Sequence, residues 1–220
     1  MNRLAFCKAD TAKYISHLDL MRTFQRAFQR AGIAIKHTEG FNPHAFVSLP
    51  LPLPVGFSSG CEVLECEIVD GTALETVPAR MNRVLPDGIV IQRCYEGDRP
   101  IKTLSYVNYI VMMDYETGAP YGVESKIQDL LSQKELIVSK RSKKAKSGQV
   151  EVDLIPLIAK AAVEERRDAI VLDLTLKAQN PGLNPTLLMS AICQAYPEEQ
   201  PDFISYHRRS FFDTAFQRWE

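Results

Sequence analysis

A chain of 220 residues can form one large domain or two domains of about 100 residues each. Hydrophobic residues make up 45% of it and charged residues 24%, which is typical of a globular protein with a core of its own. The formal net charge of −1 predicts no affinity for nucleic acid by itself, so such affinity requires local basic patches.

The composition also argues against several cofactors and locations. No window approaches the roughly 20 apolar residues of a membrane helix. Charged residues interrupt the N-terminal segment where a secretory signal needs an apolar run. We therefore expect a cytoplasmic protein with no membrane contact. The chain has an odd number of cysteines, five, and they are widely spaced, so we expect free thiols. The sequence contains no CxxxCxxC motif, which is a spacing expected for the ligands of an iron–sulfur cluster. We expect no cofactor.

The first half of the chain predicts the order strand, helix, strand, strand, helix, strand. A strand over 3–8 precedes a helix over 16–31, with Ser16 as its N-cap and Gly32 just after its end. Alternating prolines at 49–56 exclude a central strand and predict a rigid extended segment. The remaining predicted elements are strands at 33–35, 61–69 and 89–95 and a helix beginning near Pro78.

The second half repeats this order without obvious sequence identity to the first. Its predicted elements are strands at 104–113, 135–140, 169–176 and 203–209, and helices at 122–132 and from Asn184-Pro185 onwards. Residues 141–168 have no firm assignment, and 150–155 could form another strand. The repeated pattern predicts an α+β fold of two tandem ferredoxin-like (βαββαβ) modules, at 1–98 and 101–220.

Positive charge is concentrated in two places. Residues 1–36 hold seven basic and two acidic residues, an excess of five, and Arg22, Arg26 and Arg30 follow each other at four-residue intervals on one helix face. Residues 140–146 hold five basic residues. Both clusters suit the phosphates of RNA, although a solvated helix face and a soluble loop tip are the alternative interpretations. Aromatic residues and proline-rich turns follow the first cluster. The candidate RNA-binding or partner-binding residues are Arg22, Arg26, Arg30, Lys36, Phe41, Asn42, His44, Lys140, Arg141, Lys143, Lys144 and Lys146.

Histidine residues are weaker candidates for chemistry. His17 and His44 could act as general acid and base, and His17, Asp19, His37 and His44 could ligate a metal. However, His17 and Asp19 are two residues apart, which places them about 200° apart around a helix. Asp19 is explained more simply by the positive helix N-terminus and by Arg22 three residues later. The sequence thus contains no strong catalytic constellation, and it favours a protein that is not an enzyme.

Three segments together carry a resemblance to a known family. Residues 15–22 read ISHLDLMR and residues 39–44 read EGFNPH, and residues 51–56 read LPLPVG. These segments resemble the radical-SAM-linked proteins, a domain of unknown function that occurs beside or fused to cobalamin-binding-type radical SAM proteins. Further matching segments lie at 85–89, 152–158 and 183–185, so the resemblance extends over nearly the whole chain. It implies a radical SAM protein as the partner that supplies the cluster chemistry.

These observations lead to one hypothesis and two alternatives. The chain is interpreted as a non-catalytic accessory or substrate-recognition protein for a radical SAM enzyme, binding RNA in an RNA-modification system. One alternative is a small stand-alone RNase or metal-assisted hydrolase that uses His17 and His44. The other is a protein-binding adaptor with no nucleic-acid contact.

Overall fold

The computed structural model describes residues 1–141, 148–179 and 181–219. The described residues form four α-helices and nine strands, which confirms the predicted α+β class. The helices are α1 (His17–Arg30), α2 (Val77–Asn82), α3 (Val123–Leu131) and α4 (Pro185–Ala195). The strands are β1 (Asn2–Lys8), β2 (Ser58–Cys66), β3 (Ile89–Glu96), β4 (Tyr106–Asp114), β5 (Ile137–Arg141), β6 (Gln149–Asp153), β7 (Ile158–Arg166), β8 (Ala169–Lys177) and β9 (Phe203–Phe212). None of the helices in the described ranges is long and apolar enough to span a membrane.

The chain divides into two compact units. The first consists of Met1–Thr103, His207–Phe211 and Gln217–Glu220, and the second of Leu104–Tyr206 and Phe212–Phe216. The division along the chain lies a few residues after the predicted join at 98–101. The last strand differs from the prediction, because residues 207–211 of β9 pack with the first unit and not with the second.

The first unit contains a sheet in the order β3-β1-β2-β9. β1 is antiparallel to both β2 and β3, and Leu4 pairs with Leu64 on one side and with Cys94 on the other. β9 is parallel to β2, with Ser58 opposite His207. The helices α1 and α2 contribute to a core that includes Phe6, Phe24, Phe28, Leu64 and Met81.

The helix α1 forms as the sequence predicts. The hydroxyl of Ser16 accepts a hydrogen bond from the backbone N–H of Asp19 at 3.2 Å, which satisfies one of the free donors of the first turn. Gly32 follows the last turn with φ +66°, a left-handed conformation that glycine adopts without steric cost. Leu20, Phe24, Ala27 and Phe28 are buried, and the arginines lie on the other side of the helix.

The predicted strand at 33–35 is wrong. Ile33 and Ile35 are buried, but the segment pairs only through an isolated bridge between Ile35 and Ile68. The backbone N–H of Ala34 donates to the Asp70 carboxylate at 2.8 Å, so a side chain replaces a strand as its acceptor. The proline-rich segment at 49–56 is outside the strands, as predicted.

The second unit contains a sheet in the order β9-β4-β8-β7, in which the neighbours of β8 are antiparallel to it. A separate two-stranded hairpin, β5 and β6, lies between α3 and β7 in the chain. The strand predicted at 135–140 therefore exists but belongs to this hairpin. The strand β7 lies within the stretch 141–168, to which the sequence assigned no firm element. It takes the position in the sheet that was predicted for the strand at 135–140.

Candidate nucleic-acid interface

The outer face of α1 presents the predicted arginine stripe. Arg22, Arg26 and Arg30 are all exposed, on the side of the helix opposite Phe24 and Phe28. Arg22 contacts Asp19 at 3.2 Å, but both side chains are more than 60% exposed, so solvent screens this ion pair. The hydroxyl of Ser16 and then the guanidinium of Arg22 lower the pKa of Asp19. Three cations and one acid thus lie along this face.

A groove runs between α1 and the segment that follows it. Its volume is about 460 Å³. The polar groups that line it are one guanidinium, two amides and two imidazoles, and the apolar floor is formed by the core side of α1 and by the buried isoleucines. These polar residues are Gln25, Arg26, Gln29, His37 and His44. Three of the residues singled out in the sequence, Arg26, His37 and His44, are therefore brought together in one concave site.

A closed turn holds His44 in place. The backbone N–H of Thr38 donates to the carbonyl of His44 at 2.8 Å, and the N–H of His44 donates to the Thr38 hydroxyl at 3.2 Å. The ring Nδ1 of His44 lies 3.1 Å from that hydroxyl and 3.2 Å from the carbonyl oxygen of Asn42. Since these contacts use Nδ1, Nε2 is the ring nitrogen that can reach a ligand.

The tip of this turn is solvent-exposed. Phe41 is fully exposed to solvent, and Asn42 beside it is also exposed. Nearby, Lys36 forms an ion pair with Glu67 at 3.3 Å, with both side chains about half exposed. Phe41 offers an aromatic face to a base or a partner, whereas the charge of Lys36 is already partly neutralised.

The metal and hydrolase hypotheses find little geometric support. Within the described residues, no group of three or more His, Cys, Asp or Glu side chains is arranged to hold a metal ion. His17 opens α1, and its buried Nδ1 has no hydrogen-bond partner among the residues that the structure describes. Among the described residues that line the groove, His44 is present and His17 is not. Of the two histidines, this groove therefore contains only His44 among its described lining residues.

Only part of the second basic cluster can be located. Lys140 lies on β5 with an exposed side chain, paired with Val150 of β6, and the backbone of Arg141 ends that strand. Lys143, Lys144 and Lys146 lie outside the described residues. The sequence interpretation overlooked Gln25 and Gln29, although their spacing of four residues beside Arg26 was a signal that both amides share the groove side of α1.

A comparison with protein families matches residues 2–185 to DUF2344, described as an uncharacterized protein conserved in bacteria. The chain belongs to the DUF2344 family. That description names no activity and no partner, radical SAM or other. Comparison with curated proteins gives no match.

Two solved structures of complexes resemble the chain. A chain in the crystal structure of a Cbf5-Nop10-Gar1 complex superposes with a TM-score of 0.51 at 10% identity, over 94% of this chain and 47% of that chain. A chain of the archaeal box H/ACA sRNP Nop10-Cbf5 complex superposes at 0.43 and 9% identity, over 94% and 46%. This DUF2344 chain thus spans less than half the length of either. At such identity the first likeness concerns the fold alone.

Proposed function

We propose that this DUF2344 protein is a non-catalytic RNA-binding protein that recognises the substrate of an RNA-modifying enzyme. The groove between α1 and residues 33–45 is the proposed binding site. The observation that carries the proposal is the meeting of Arg26, His37 and His44 in this groove, next to the exposed stripe of Arg22 and Arg30.

The chemistry of the groove matches single-stranded RNA. The arginine stripe offers charge-assisted hydrogen bonds to successive phosphates, and arginine remains protonated at any physiological pH. The Gln25 amide donates to the carbonyl of Ala45 at 2.9 Å and keeps its oxygen as an acceptor, and the Gln29 amide can donate and accept, as the edges of unpaired bases require. Phe41 adds an exposed ring on which a base can stack. Backbone contacts therefore supply affinity, and the amides supply selectivity.

We further propose that each compact unit is a ferredoxin-like module. In the first unit, the order β3-β1-β2 continues through the bridge of Ile35 with Ile68, which corresponds to a reduced fourth strand. In the second, the order β9-β4-β8-β7 follows the same pattern, with the β5–β6 hairpin as an insertion. This assignment keeps the predicted two-module organisation. It identifies β7, and not residues 135–140, as the second strand of the second module.

The proposed partner is a radical SAM enzyme. This part of the proposal rests on the resemblance carried by residues 15–22, 39–44 and 51–56. The first two of these segments form the start of α1 and the exposed turn at Phe41, so one surface would serve both RNA and the enzyme. Affinity purification of the tagged chain from native cells, at low and high salt, tests the partner. Recovery of RNA without any such enzyme would remove it.

RNA binding is tested by fluorescence anisotropy with a labelled single-stranded RNA at several salt concentrations. The variant Arg22→Ala/Arg26→Ala/Arg30→Ala removes the stripe. The matched control, Arg83→Ala/Arg166→Ala/Arg167→Ala, removes the same charge from exposed positions elsewhere. For single strands, the slope of log affinity against log salt is about 0.7 per neutralised phosphate. We expect the stripe variant to lose about 2 units of slope, and the control to keep its slope.

Three results would contradict the proposal. Equal losses in the stripe and control variants would show that binding reflects overall charge and not this face. RNA cleavage by the purified chain that His17→Ala or His44→Ala abolishes would replace the binding protein with a hydrolase. Salt-resistant binding to an enzyme without any RNA affinity would indicate a protein adaptor.

A further inference from the structure

The second unit has an open strand edge at β7. This strand stands at the end of the order β9-β4-β8-β7, and among the described residues β8 is the one strand that pairs with it. Most of the side chains of β7 are exposed. The backbone N–H and C=O groups along such an edge form a template that can pair with a strand of another chain.

The outward-pointing backbone groups of β7 can be identified. In an antiparallel pair, residues that hydrogen-bond across the pair alternate with residues whose backbone groups point away from it. The carbonyl of Val163 accepts a hydrogen bond from the side-chain amide of Gln128 on α3 at 3.4 Å, so it points away from β8. By the alternation, the N–H and C=O groups of Ala161 point outward as well. The contact with Gln128 is long and exposed, so an added strand can replace it.

A groove beside this edge has room for the side chains of an added strand. It lies between α3 and β7 and has a volume of about 410 Å³. Leu131 and Ser132 line it from the helix, and residues 158–163 line it from the strand. The side chains of Ala161 and Val163 lie on the helix side of the sheet, because they pair with two buried leucines of β8. Side chains of an added strand on this side would therefore enter the groove.

The charged residues of β7 complement a second copy of the same strand. Lys160 and Glu164 are both exposed and lie four residues apart, so they are on the same side of the strand. When two copies of β7 are aligned antiparallel about Ala162, Lys160 of each copy lies opposite Glu164 of the other, and Ala161 lies opposite Val163. Opposite charges in such positions stabilise a strand pair. The symmetry provides this charge pair twice.

Both charged groups are accessible to a second copy. The carboxylate of Glu164 contacts the guanidinium of Arg166 at 3.2 Å, but both side chains are more than half exposed, so solvent screens this ion pair. The ammonium group of Lys160 lies 4.9 Å from the ring centre of Phe216, and its side chain is also exposed. A cross-strand ion pair can therefore form without removing either group from a buried site.

The same charges disfavour the neighbouring alignments. Shifting one copy by two residues in one direction places Lys160 opposite Arg166, and like charges directly opposite each other destabilise a strand pair. Shifting it by two residues in the other direction places Lys160 opposite Ala162, so both charge pairs are lost. The alignment about Ala162 is therefore specified by charge, although small side chains alone would specify the register weakly.

We propose that β7 pairs antiparallel with β7 of a second copy of this chain, centred on Ala162, to form a two-fold symmetric dimer. The backbone groups of Ala161 and Val163 exchange hydrogen bonds with Val163 and Ala161 of the other copy. Because the two copies use the same edge, the assembly closes at two chains. The dimer contains two copies of the groove beside α1, but the proposal does not depend on RNA binding.

Sedimentation velocity of the full chain over a range of concentrations tests the dimer. We expect the fraction with twice the mass of one chain to rise with concentration and no larger species to form. A wild-type chain that remains a monomer at its highest soluble concentration would overturn the proposal. The edge would then be left to an extended segment of another protein.

Two charge reversals test the alignment. Lys160→Glu and Glu164→Lys each place like charges opposite each other in both pairs, so each should raise the dimer dissociation constant at least about tenfold. An equimolar mixture of the two variants has opposite charges in both pairs of a mixed dimer. We therefore expect the mixture to sediment as a dimer at a concentration at which each variant alone is a monomer. Wild-type dimerisation of each variant alone, or no dimer in the mixture, would contradict the proposed alignment.

A matched pair of variants controls for general attraction between oppositely charged proteins. Arg83→Glu and Glu75→Lys make the same changes of charge at exposed positions in the first unit. Each should dimerise as the wild type does, and mixing them should produce no further association. If mixing this control pair increased association as much as mixing the β7 variants, the effect would not belong to the β7 edge.

A backbone substitution tests the strand pairing itself. Ala161→Pro removes an N–H that points away from β8, a position where an edge strand tolerates proline. We expect a monomer whose Tm and circular dichroism are close to those of the wild type. A folded Ala161→Pro variant that dimerises as tightly as the wild type would exclude the pairing of β7 with its copy.

Discussion

Arg208 and Glu62 form a buried ion pair in the first unit, with Nη1 of Arg208 lying 2.9 Å from Oε1 and 3.2 Å from Oε2 of Glu62. Their side chains are only 2% and 3% exposed. The same Nη1 donates to the carbonyl of Leu51 at 2.8 Å. The guanidinium of Arg208 thereby connects β2, β9 and the proline-rich segment at 49–56. Because proline has no backbone N–H, that segment has few hydrogen-bond donors of its own.

Replacing Arg208 should therefore destabilise the protein strongly. The variant Arg208→Leu leaves the Glu62 carboxylate buried without its partner, and breaking a buried pair in this way costs about 3–5 kcal/mol. Urea unfolding measures the loss. The double variant Arg208→Leu/Glu62→Leu removes both charges and should recover part of it. A double variant as unstable as the single one would show that the ion pair itself is not the cause.

Asp70 should make the stability depend on acid pH. Hydrogen bonds from the side chain and N–H of Thr72 and from the N–H of Ala34 lower the pKa of its carboxyl to about 2. Because the pKa is lower in the folded state than the ordinary value of 3.8, the carboxylate stabilises the fold fully above that value, and the benefit is lost as pH falls towards 2.

We therefore expect Asp70→Asn to lower the Tm at pH 7, and this difference from the wild type to shrink between about pH 4 and pH 2. Thermal unfolding followed by circular dichroism at several pH values checks it. Asp129→Asn, at an exposed position on α3, is the control for a lost surface charge. A difference that is constant with pH would mean that the carboxylate of Asp70 is not what orders this turn.

Asp70 also shows which parts of the fold could be predicted from the sequence and which could not. The helix α1 was predictable because its N-cap, its apolar spacing and its terminal glycine are all local signals. The segment at Ala34 was not, because its backbone N–H is satisfied by Asp70, 36 residues away, and nothing local distinguishes that from strand pairing. Burial of Ile33 and Ile35 produces a strand-like pattern without a strand.

The strand β7 was missed for a different reason. It lies at the edge of its sheet, and most of its side chains are exposed, so the alternation that marks a half-buried strand is absent. The residues of the candidate site also divide into those that a local pattern predicts and those that it does not. Helical spacing predicts the stripe of Arg22, Arg26 and Arg30, whereas the groove joins Arg26 to His37 and His44, which no local pattern connects to the helix.

The N-cap of α1 supports the arginine stripe and can be tested alone. The Ser16 hydroxyl accepts from the N–H of Asp19 and donates to its carboxylate at 2.7 Å. Ser16→Ala should lower stability by about 1 kcal/mol, measured by urea unfolding, and Ser16→Asp, which keeps an oxygen acceptor, should lose much less. Similar losses in both would indicate that the hydroxyl caps nothing.

Lys140 of β5 should contribute to RNA affinity without contributing to stability. It is exposed on a two-stranded hairpin, so Lys140→Gln removes one charge and no core contact. We expect weaker RNA binding with an unchanged Tm, and a smaller effect from the control Arg167→Gln on the turn between β7 and β8. Anisotropy titrations at constant salt compare the two variants. Equal effects would assign both residues to non-specific attraction.

The thiols of Cys61 and Cys66 should be almost inert in the folded protein. Burial raises the pKa of each to about 12, so at pH 8 only about one molecule in ten thousand carries the reactive thiolate at either position. Iodoacetamide should leave both unmodified in the native protein and modify all five cysteines after denaturation, as peptide mass spectrometry can show. Fast native labelling of Cys61 would mean that its thiol is not held in the buried environment that raises its pKa.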